Sequence, residues 1–522
     1  MRSNSKERGS LEKRKQAFKD RFSEWAKDNH NKIFLGIIIF AVLVRIYFFF
    51  KTLGQPVWWD AADYLTQAKV FGKGIDIGYV FNPRRPFFLA LLWGLLFKIG
   101  LDEAALRVTE LLFSIAAIFG MYIVSGKIFN KKIALISTFL LAIFWQHLFF
   151  TYRLMTEIPS LAFFLFSVYF FWEGYVNKKH KMLLWFGFFL GMAVLARAGT
   201  LMMVFSFLLF IVAVDKWRFV KNKYLWAAGF IFLLVMSSFL GYVYIKENSN
   251  PVDRFLGVSE GRFSKPNSMG LRGILVYSAF MPEYLGWALL IPFILGIGIF
   301  FFELAISADI ILKKPDLHLK QNLFLLFWFA VPFLYHALLP SHMEPRYLMM
   351  AFPPFFIILS RGLLSIEKMI RPYHKHLGIF VVVLFLAFGA YYQLNQANKV
   401  IMAKSLSYLE VKQAGLWLKE NSLEEDIIFS ASVPQHQYYA ERRIYNYMTK
   451  KTNESEFEQK VMELRPAFLV LSVFEPHAEW AYSYPQTHQE MLTPVQVYAR
   501  NNNQPSLIIY KFNYGNEIQN KS

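Results

Sequence analysis

Four short stretches hold most of the polar residues whose type and spacing could do chemistry. In "PVWWDAADYLTQAK" (56–69), a helix would set Asp60, Asp63, Tyr64 and Gln67 at i, i+3, i+4 and i+7, on one face. Two neighbouring carboxylates can orient or deprotonate a hydroxyl, or hold a metal; the same spacing also suits an ordinary surface helix with exposed acids. "NPRRP" (82–86) brings Arg84 and Arg85, and paired guanidiniums suit a phosphate or a lipid headgroup. "TYRLMTEIP" (151–159) offers Arg153 and Glu157, the latter placed to begin a helix. "SHMEPRYLMM" (341–350) puts His342, Glu344, Arg346 and Tyr347 within six residues. His342 and Glu344, with Asp60, are candidate ligands for a divalent metal, but two nearby ligands alone do not make a site. A fifth polar residue, Arg197, interrupts a long apolar run at "ARAGT". Charge at such depth is ordinarily paired or functional.

The elements that must position these residues are membrane helices. The chain has 522 residues, 55% of them hydrophobic and 18% aromatic, with mean hydropathy +0.32. Apolar runs fall near 33–50, 86–99, 104–124, 133–150, 158–176, 183–214, 224–245, 284–303, 322–339, 348–366 and 377–394. The 183–214 run is long enough for two short spans broken at Arg197. This predicts a mainly α, polytopic protein with about eleven spanning helices. The absence of cysteine excludes disulfides, thiolate metal sites and a cysteine nucleophile. The net charge of +19 gathers in short loops between apolar runs, which reads as topology rather than nucleic-acid binding. Residues 1–32 are polar and basic and lead into the first run without a small-residue cleavage site, so an uncleaved anchor with a cytoplasmic N-terminus is expected.

Five basic loops, at 126–132, 177–181, 215–223, 313–320 and 371–376, should share the cytoplasmic side. They do so if 86–99, short and opening with Pro86, is an interfacial or re-entrant helix that does not cross. The outer loop 51–103, Arg153, Glu157, Arg197, the loop 246–283 and "LPSHMEPRY" (339–347) then collect on the outer face, and the chain after 394 is extracytoplasmic. Trp58 and Trp59 suit the headgroup level there. Residues 33–394 form the membrane domain, and 395–522 read as a small α/β domain. "SYLEVKQAGLWLKEN" has helical spacing. Strands are expected at 426–432, 443–448, 466–474, 494–500 and 506–512, the last two joined across "NNNQP".

Acids, arginines, a histidine and tyrosines on one face, above apolar helices, fit sugar transfer from a lipid phosphate. A carboxylate orients the acceptor hydroxyl and cations stabilise charge on the departing phosphate. The chain resembles the GT-C glycosyltransferases, specifically the protein O-mannosyltransferase and aminoarabinose-transferase-like group, over about residues 33–360. "WWDAADYLTQAK" resembles the family's acidic first outer loop, "NPRRPFFLALLW" its Lys/Arg-Pro approach to a juxtamembrane helix, "RLMTEIPSLAFF" its second acidic loop, and "HMEPRYLMMAFPPF" its His-x-Glu-x-Arg-Tyr segment.

The resemblance implies a polyprenyl-phosphate-linked monosaccharide donor (dolichyl or undecaprenyl), a hydroxyl acceptor on protein, lipid or glycan, and inverting transfer on the outer face. It implies that Asp60 is the catalytic carboxylate, that Arg85 contacts the donor phosphate, and that Glu157 is a second acid. Ala61 stands where the family commonly has Glu, so Asp63 stays beside Asp60 as the alternative base. Tyr64, Arg84, Arg153, Arg197, His342, Glu344, Arg346 and Tyr347 are the further expected substrate contacts, and metal dependence is left open. The alternative function is a transporter or flippase of lipid-linked substrates. That reading expects ionisable groups near mid-membrane and an inverted repeat, and neither is seen in the sequence.

Overall fold

The computed structural model describes residues 16, 20, 23–256, 270–307, 315–339, 343–500 and 504–514. Each apolar run is helical. The membrane part comprises α1 (Asn29–Thr52), α2 (Trp59–Lys73), α3 (Phe88–Lys98), α4 (Glu103–Ile128), α5 (Lys131–Ile143), α6 (Trp145–Thr151), α7 (Glu157–Phe171), α8 (Met182–Ala196), α9 (Met203–Asp215) and α10 (Lys223–Glu247). It continues through α11 (Trp287–Ile306), α12 (Leu317–Leu338), α13 (Phe352–Ile370) and α14 (Lys375–Ser405). Starts are set by short polar side chains that accept from first-turn amides: Asp28 for α1, Asp102 for α4, Asn130 for α5, Asn222 for α10 and Asp316 for α12.

Among the described residues, seven helices are long and apolar enough to cross a membrane, or eight if α5 and α6, bent by 54°, count as one span. The other expected spans are present but shorter or more polar. At 15 residues, α7 and α8 each extend only about 22 Å, less than a hydrocarbon core. A π-helical turn, Trp172–Val176, prolongs α7, and α13 carries Arg361, Glu367 and Lys368. The 86–99 run forms the 11-residue α3, about 16 Å long. The 183–214 run breaks at Arg197, which sits in an extended conformation between α8 and a 3-10 turn, Ala198–Met202.

α2 and α3 lie side by side on one end of the bundle, pressed together at two glycines. A Cβ on Gly72 would sit 2.1 Å from the Gly94 carbonyl oxygen, so only hydrogen fits. α11 and α13 meet as closely, with a Cβ on Gly362 falling 1.9 Å from the Pro292 carbonyl oxygen.

The helix of the last apolar run does not stop at 394 but continues to Ser405. After it come α15 (Leu409–Asn421), β1 (Ile427–Ser430), α16 (Val433–Ala440), β2 (Arg443–Tyr445), β3 (Phe468–Ser472), β4 (Leu492–Arg500) and β5 (Gln504–Phe512), with helices Glu454–Leu464 and Glu479–Thr487 between strands. The sheet order is β2-β1-β3-β5-β4. β1 pairs in parallel with β2 and β3, while β3–β5 and β4–β5 are antiparallel. Helices cover both faces, so every residue of β3 is buried. Pro494 is tolerated because β4 is an edge strand with an irregularity between Pro494 and Gln496.

This unit grips α2 and the segment before it through α16. Tyr439 accepts from the Val57 amide at 2.9 Å, and Lys69 donates to the Tyr438 carbonyl at 2.7 Å. Lys69 also pairs with Glu441 at 2.8 Å, and Tyr438 donates to Glu103 at 3.1 Å.

Candidate functional site

The first turn of α2 presents Asp60 at the mouth of a cavity of about 460 Å³. Its two oxygens meet different guanidiniums: Arg85 donates to Oδ1 at 2.8 Å and Arg346 to Oδ2 at 2.9 Å. One turn on, Asp63 pairs with the other arm of Arg85 at 2.7 Å. The Arg85 guanidinium lies 5.1 Å from the centre of the Tyr64 ring. The expected acidic face is therefore real, and Arg85 organises it. Gln67 belongs to the same face but is buried, and neither of its amide atoms has a partner among the described residues.

Glu157, the first residue of α7, is fully buried. Its Oε1 accepts from Arg197 at 2.6 Å and lies 3.7 Å from Arg346 Nε. Arg197 reaches it from the α8 break and also donates to Thr156 at 3.0 Å. Arg346, on the 3-10 turn Pro345–Met350, bridges Asp60 and Glu157 and forms an ion pair with Glu344 at 2.5 Å. Tyr347 donates to Glu344 at 3.3 Å. Three acids and three arginines, distant in sequence, thus form one chain: Asp63–Arg85–Asp60–Arg346–Glu157–Arg197.

The environment pushes the two aspartates apart. Burial raises Asp60's pKa, but Arg85 and Arg346 together outweigh it and hold the carboxyl below its ordinary value. At Asp63 burial prevails over Arg85, and the neighbouring Asp60 charge adds to it, so this carboxyl sits above its ordinary value. Burial pulls Arg346 down, but Glu157, Asp60 and Glu344 more than offset it. Burial raises Tyr64 to about 12, keeping the phenol neutral.

Asp60, Tyr64, Arg84, Arg85, Glu157, Arg197, Arg346 and Tyr347 all line the cavity. Asp63 stands behind Arg85, and Glu344 behind Arg346. Arg153 does not join them. It is buried between Trp58 and Phe149, 4.0 and 4.7 Å from their ring centres, and donates to the Lys404 carbonyl at 3.3 Å. Arg153 thus ties the segment before α2 to the end of α14. Trp58 turns inward onto it, leaving Trp59 as the exposed tryptophan. His342 lies outside the described residues. The other two candidate metal ligands, Asp60 and Glu344, both face Arg346. Among the described residues the one close group of three such ligands is Glu454, Glu458 and His488, on the C-terminal unit.

Asn82, Thr156, Thr200, Tyr335 and His336, none of them among the expected contacts, also line the cavity. The His336 ring stacks on Tyr347 at 5.2 Å. Its only sequence signal was a histidine near the end of an apolar run. Arg107 was not among the expected residues either. It donates to the carbonyls of Tyr152 (2.5 Å) and Gln55 (2.9 Å), pinning the segments that lead into α7 and α2.

Residues 84–242 match the family model described as dolichyl-phosphate-mannose-protein mannosyltransferase. That segment holds Arg84, Arg85, Glu157 and Arg197 but not Asp60 or Arg346. No curated protein matches the sequence. Among solved structures, ArnT from Cupriavidus metallidurans bound to undecaprenyl phosphate is similar with TM-score 0.60 at 13% identity, covering 91% of this chain and 98% of ArnT. Its apo state gives TM-score 0.63 at 12% identity over the same shares. The Archaeoglobus fulgidus oligosaccharyltransferase tethered to an acceptor peptide gives 0.56 at 14% identity, covering 84% of this chain and 69% of that one. The fold is therefore that of the GT-C glycosyltransferases, and the protein is a multi-pass membrane protein.

Proposed function

We propose that this protein transfers a monosaccharide from a polyprenyl-phosphate donor to a hydroxyl acceptor on the outer face of the membrane, with inversion. The carrying observation is the Asp60 carboxylate, held between Arg85 and Arg346 at the mouth of a cavity also lined by Arg84 and Arg197. An anionic Asp60 accepts a hydrogen bond from the acceptor hydroxyl and takes its proton as that oxygen attacks the anomeric carbon. The bond from that carbon to the phosphate oxygen breaks, and the lipid phosphate leaves with the electron pair. The carboxylates of the site neutralise its guanidiniums. A donor phosphate would compete for the same guanidiniums, which pair with phosphate bidentately and stabilise its growing charge. Glu157 holds Arg197 and Arg346 in place from beneath. The ArnT neighbour binds undecaprenyl phosphate and the oligosaccharyltransferase neighbour takes an acceptor peptide, which supports the donor and acceptor classes. The C-terminal unit, bound to α2, would lie on the same outer face.

The test is transfer by purified protein from a panel of polyprenyl-phosphate sugars, with and without chelator. Asp60→Asn should lower turnover by roughly 10²- to 10⁴-fold, the usual worth of a positioned general base. Unchanged turnover by a folded Asp60→Asn variant would sink the assignment. Movement of labelled donor across the membrane with no transfer product would favour a flippase instead.

A further inference from the structure

A second cavity, of about 570 Å³, opens at the opposite end of the bundle. The helices themselves show the opposition. Near its start, α12 contributes His318 and Gln321 to the second cavity; near its end, it contributes His336 to the first. Met349 and Met350, just before α13, line the first, and Leu364 and Lys368, late in α13, line the second. α4 starts beside the C-terminal unit and ends at the second cavity, a rise of about 39 Å over its 26 residues. The two cavities thus stand about a bilayer apart.

The second cavity is built for an anion at a membrane surface. Four cations line it against two carboxylates. One carboxylate, Glu303, is already engaged by Arg361, by Asn322 at 3.0 Å and by His318 at 3.4 Å. Lys131 is drawn to Asp28. Lys132 and Lys368 are exposed and form no hydrogen bond or ion pair with any described residue. They come from elements far apart in sequence yet reach one cavity, so more than a simple loop charge is present. The second carboxylate, Glu367, is buried, and the remaining wall mixes apolar Phe129, Ile133, Ile299 and Leu364 with polar His30, Asn130, Gln321 and Ser365. Beside it, α11 shows a bare apolar face at Phe301, Phe302 and Ile306. A head with negative charge and a tail with apolar length fit that pairing.

We infer that this cavity binds the phosphate headgroup of an anionic lipid in the leaflet opposite the transfer site, with Lys132 and Lys368 as its contacts and the acyl chain along α11. A lipid is favoured over a free phosphate compound by the exposed apolar side chains of α11 beside the cavity. The inference does not depend on the transfer reaction.

The test is native mass spectrometry of the full-length protein titrated with phosphatidylglycerol or phosphatidylcholine, for the wild type and a Lys132→Ala/Lys368→Ala double variant. Neither lysine touches the transfer site, so equal thermal midpoints should confirm that both proteins are folded. The wild type should retain phosphatidylglycerol in preference to phosphatidylcholine. The double variant should retain roughly ten- to thirtyfold less, as expected for two lysines near a membrane surface. Equal retention of both lipids by the wild type would overturn the proposal. So would equal phosphatidylglycerol retention by the two proteins, or displacement of the lipid by millimolar inorganic phosphate.

Discussion

Asp60 and Asp63 differ by one helical turn, yet the site gives them opposite acidities. Asp60 has two guanidiniums and stays charged to lower pH than a free aspartate; Asp63 shares one of them and is more deeply buried. This separates the two candidates for the base. If Asp60 serves, activity needs it ionised, so the acid limb of kcat/KM should fall below the ordinary aspartate value of about 3.9. If Asp63 serves, the limb should lie above it. The pH–rate profile of Asp63→Asn decides the matter: the limb should persist at the same low pH, because Asp60 is untouched. Disappearance of the limb would give the role to Asp63.

At the scale of elements, the site depends on α2 and α3 staying in contact, because Asp60 stands on α2 and Arg85 just before α3. Their distance is set by Gly72 and Gly94, where backbone meets backbone. Gly72→Leu should force the helices apart and cost about 1–3 kcal/mol in stability, the usual penalty for overpacking a tight contact. It should also weaken the Asp60–Arg85 pairing and with it turnover. Thermal unfolding and activity of the purified variant measure both. Gly36→Ala in α1 is the control, since nothing lies within 4 Å of a Cβ there. Equal stability of Gly72→Leu and wild type would mean that the glycine pair does not set the spacing.

Across the whole molecule, the C-terminal unit and the membrane helices share the load of placing Asp60. Glu441, just after α16, collects Lys69 of α2 at 2.8 Å, Lys419 of α15 at 2.7 Å and Lys73 at 3.6 Å. Burial draws Lys69 down to about 8 in spite of Glu441. Burial of Glu441 is outweighed by Lys69 and Lys419, which bring it down to about 2. Both groups are therefore charged at neutral pH. Because Glu441's folded pKa is depressed, the stability it supplies is fully present above the ordinary glutamate value and fades as pH falls through about 2. Glu441→Gln should lower stability by roughly 1–3 kcal/mol, as for a charged, partly buried hydrogen-bond centre. It should also speed proteolysis of the chain after Ser405 and reduce turnover even though Glu441 lies outside the cavity. Normal turnover with a loosened C-terminal unit would show that the unit does not position α2.

Sequence alone determined the membrane class, because apolar stretches of about 17–23 residues have few other stable destinations. It determined that α2 carries an acidic face, since helical period fixes which residues are neighbours. It placed the five strands, through β-rich runs bounded by turns, and drew the Asp, Arg and Glu motifs together by resemblance. Tertiary structure decided how those motifs meet. That Arg346 reaches both Asp60 and Glu157 joins residues 286 and 189 positions apart, and no local pattern encodes such a contact. Tertiary packing also turned Arg153 and Trp58 inward, since a guanidinium stacks on whichever aromatic ring the fold brings near. It split the acidity of Asp60 from that of Asp63, because acidity follows burial and facing charges, and both are properties of the assembled site.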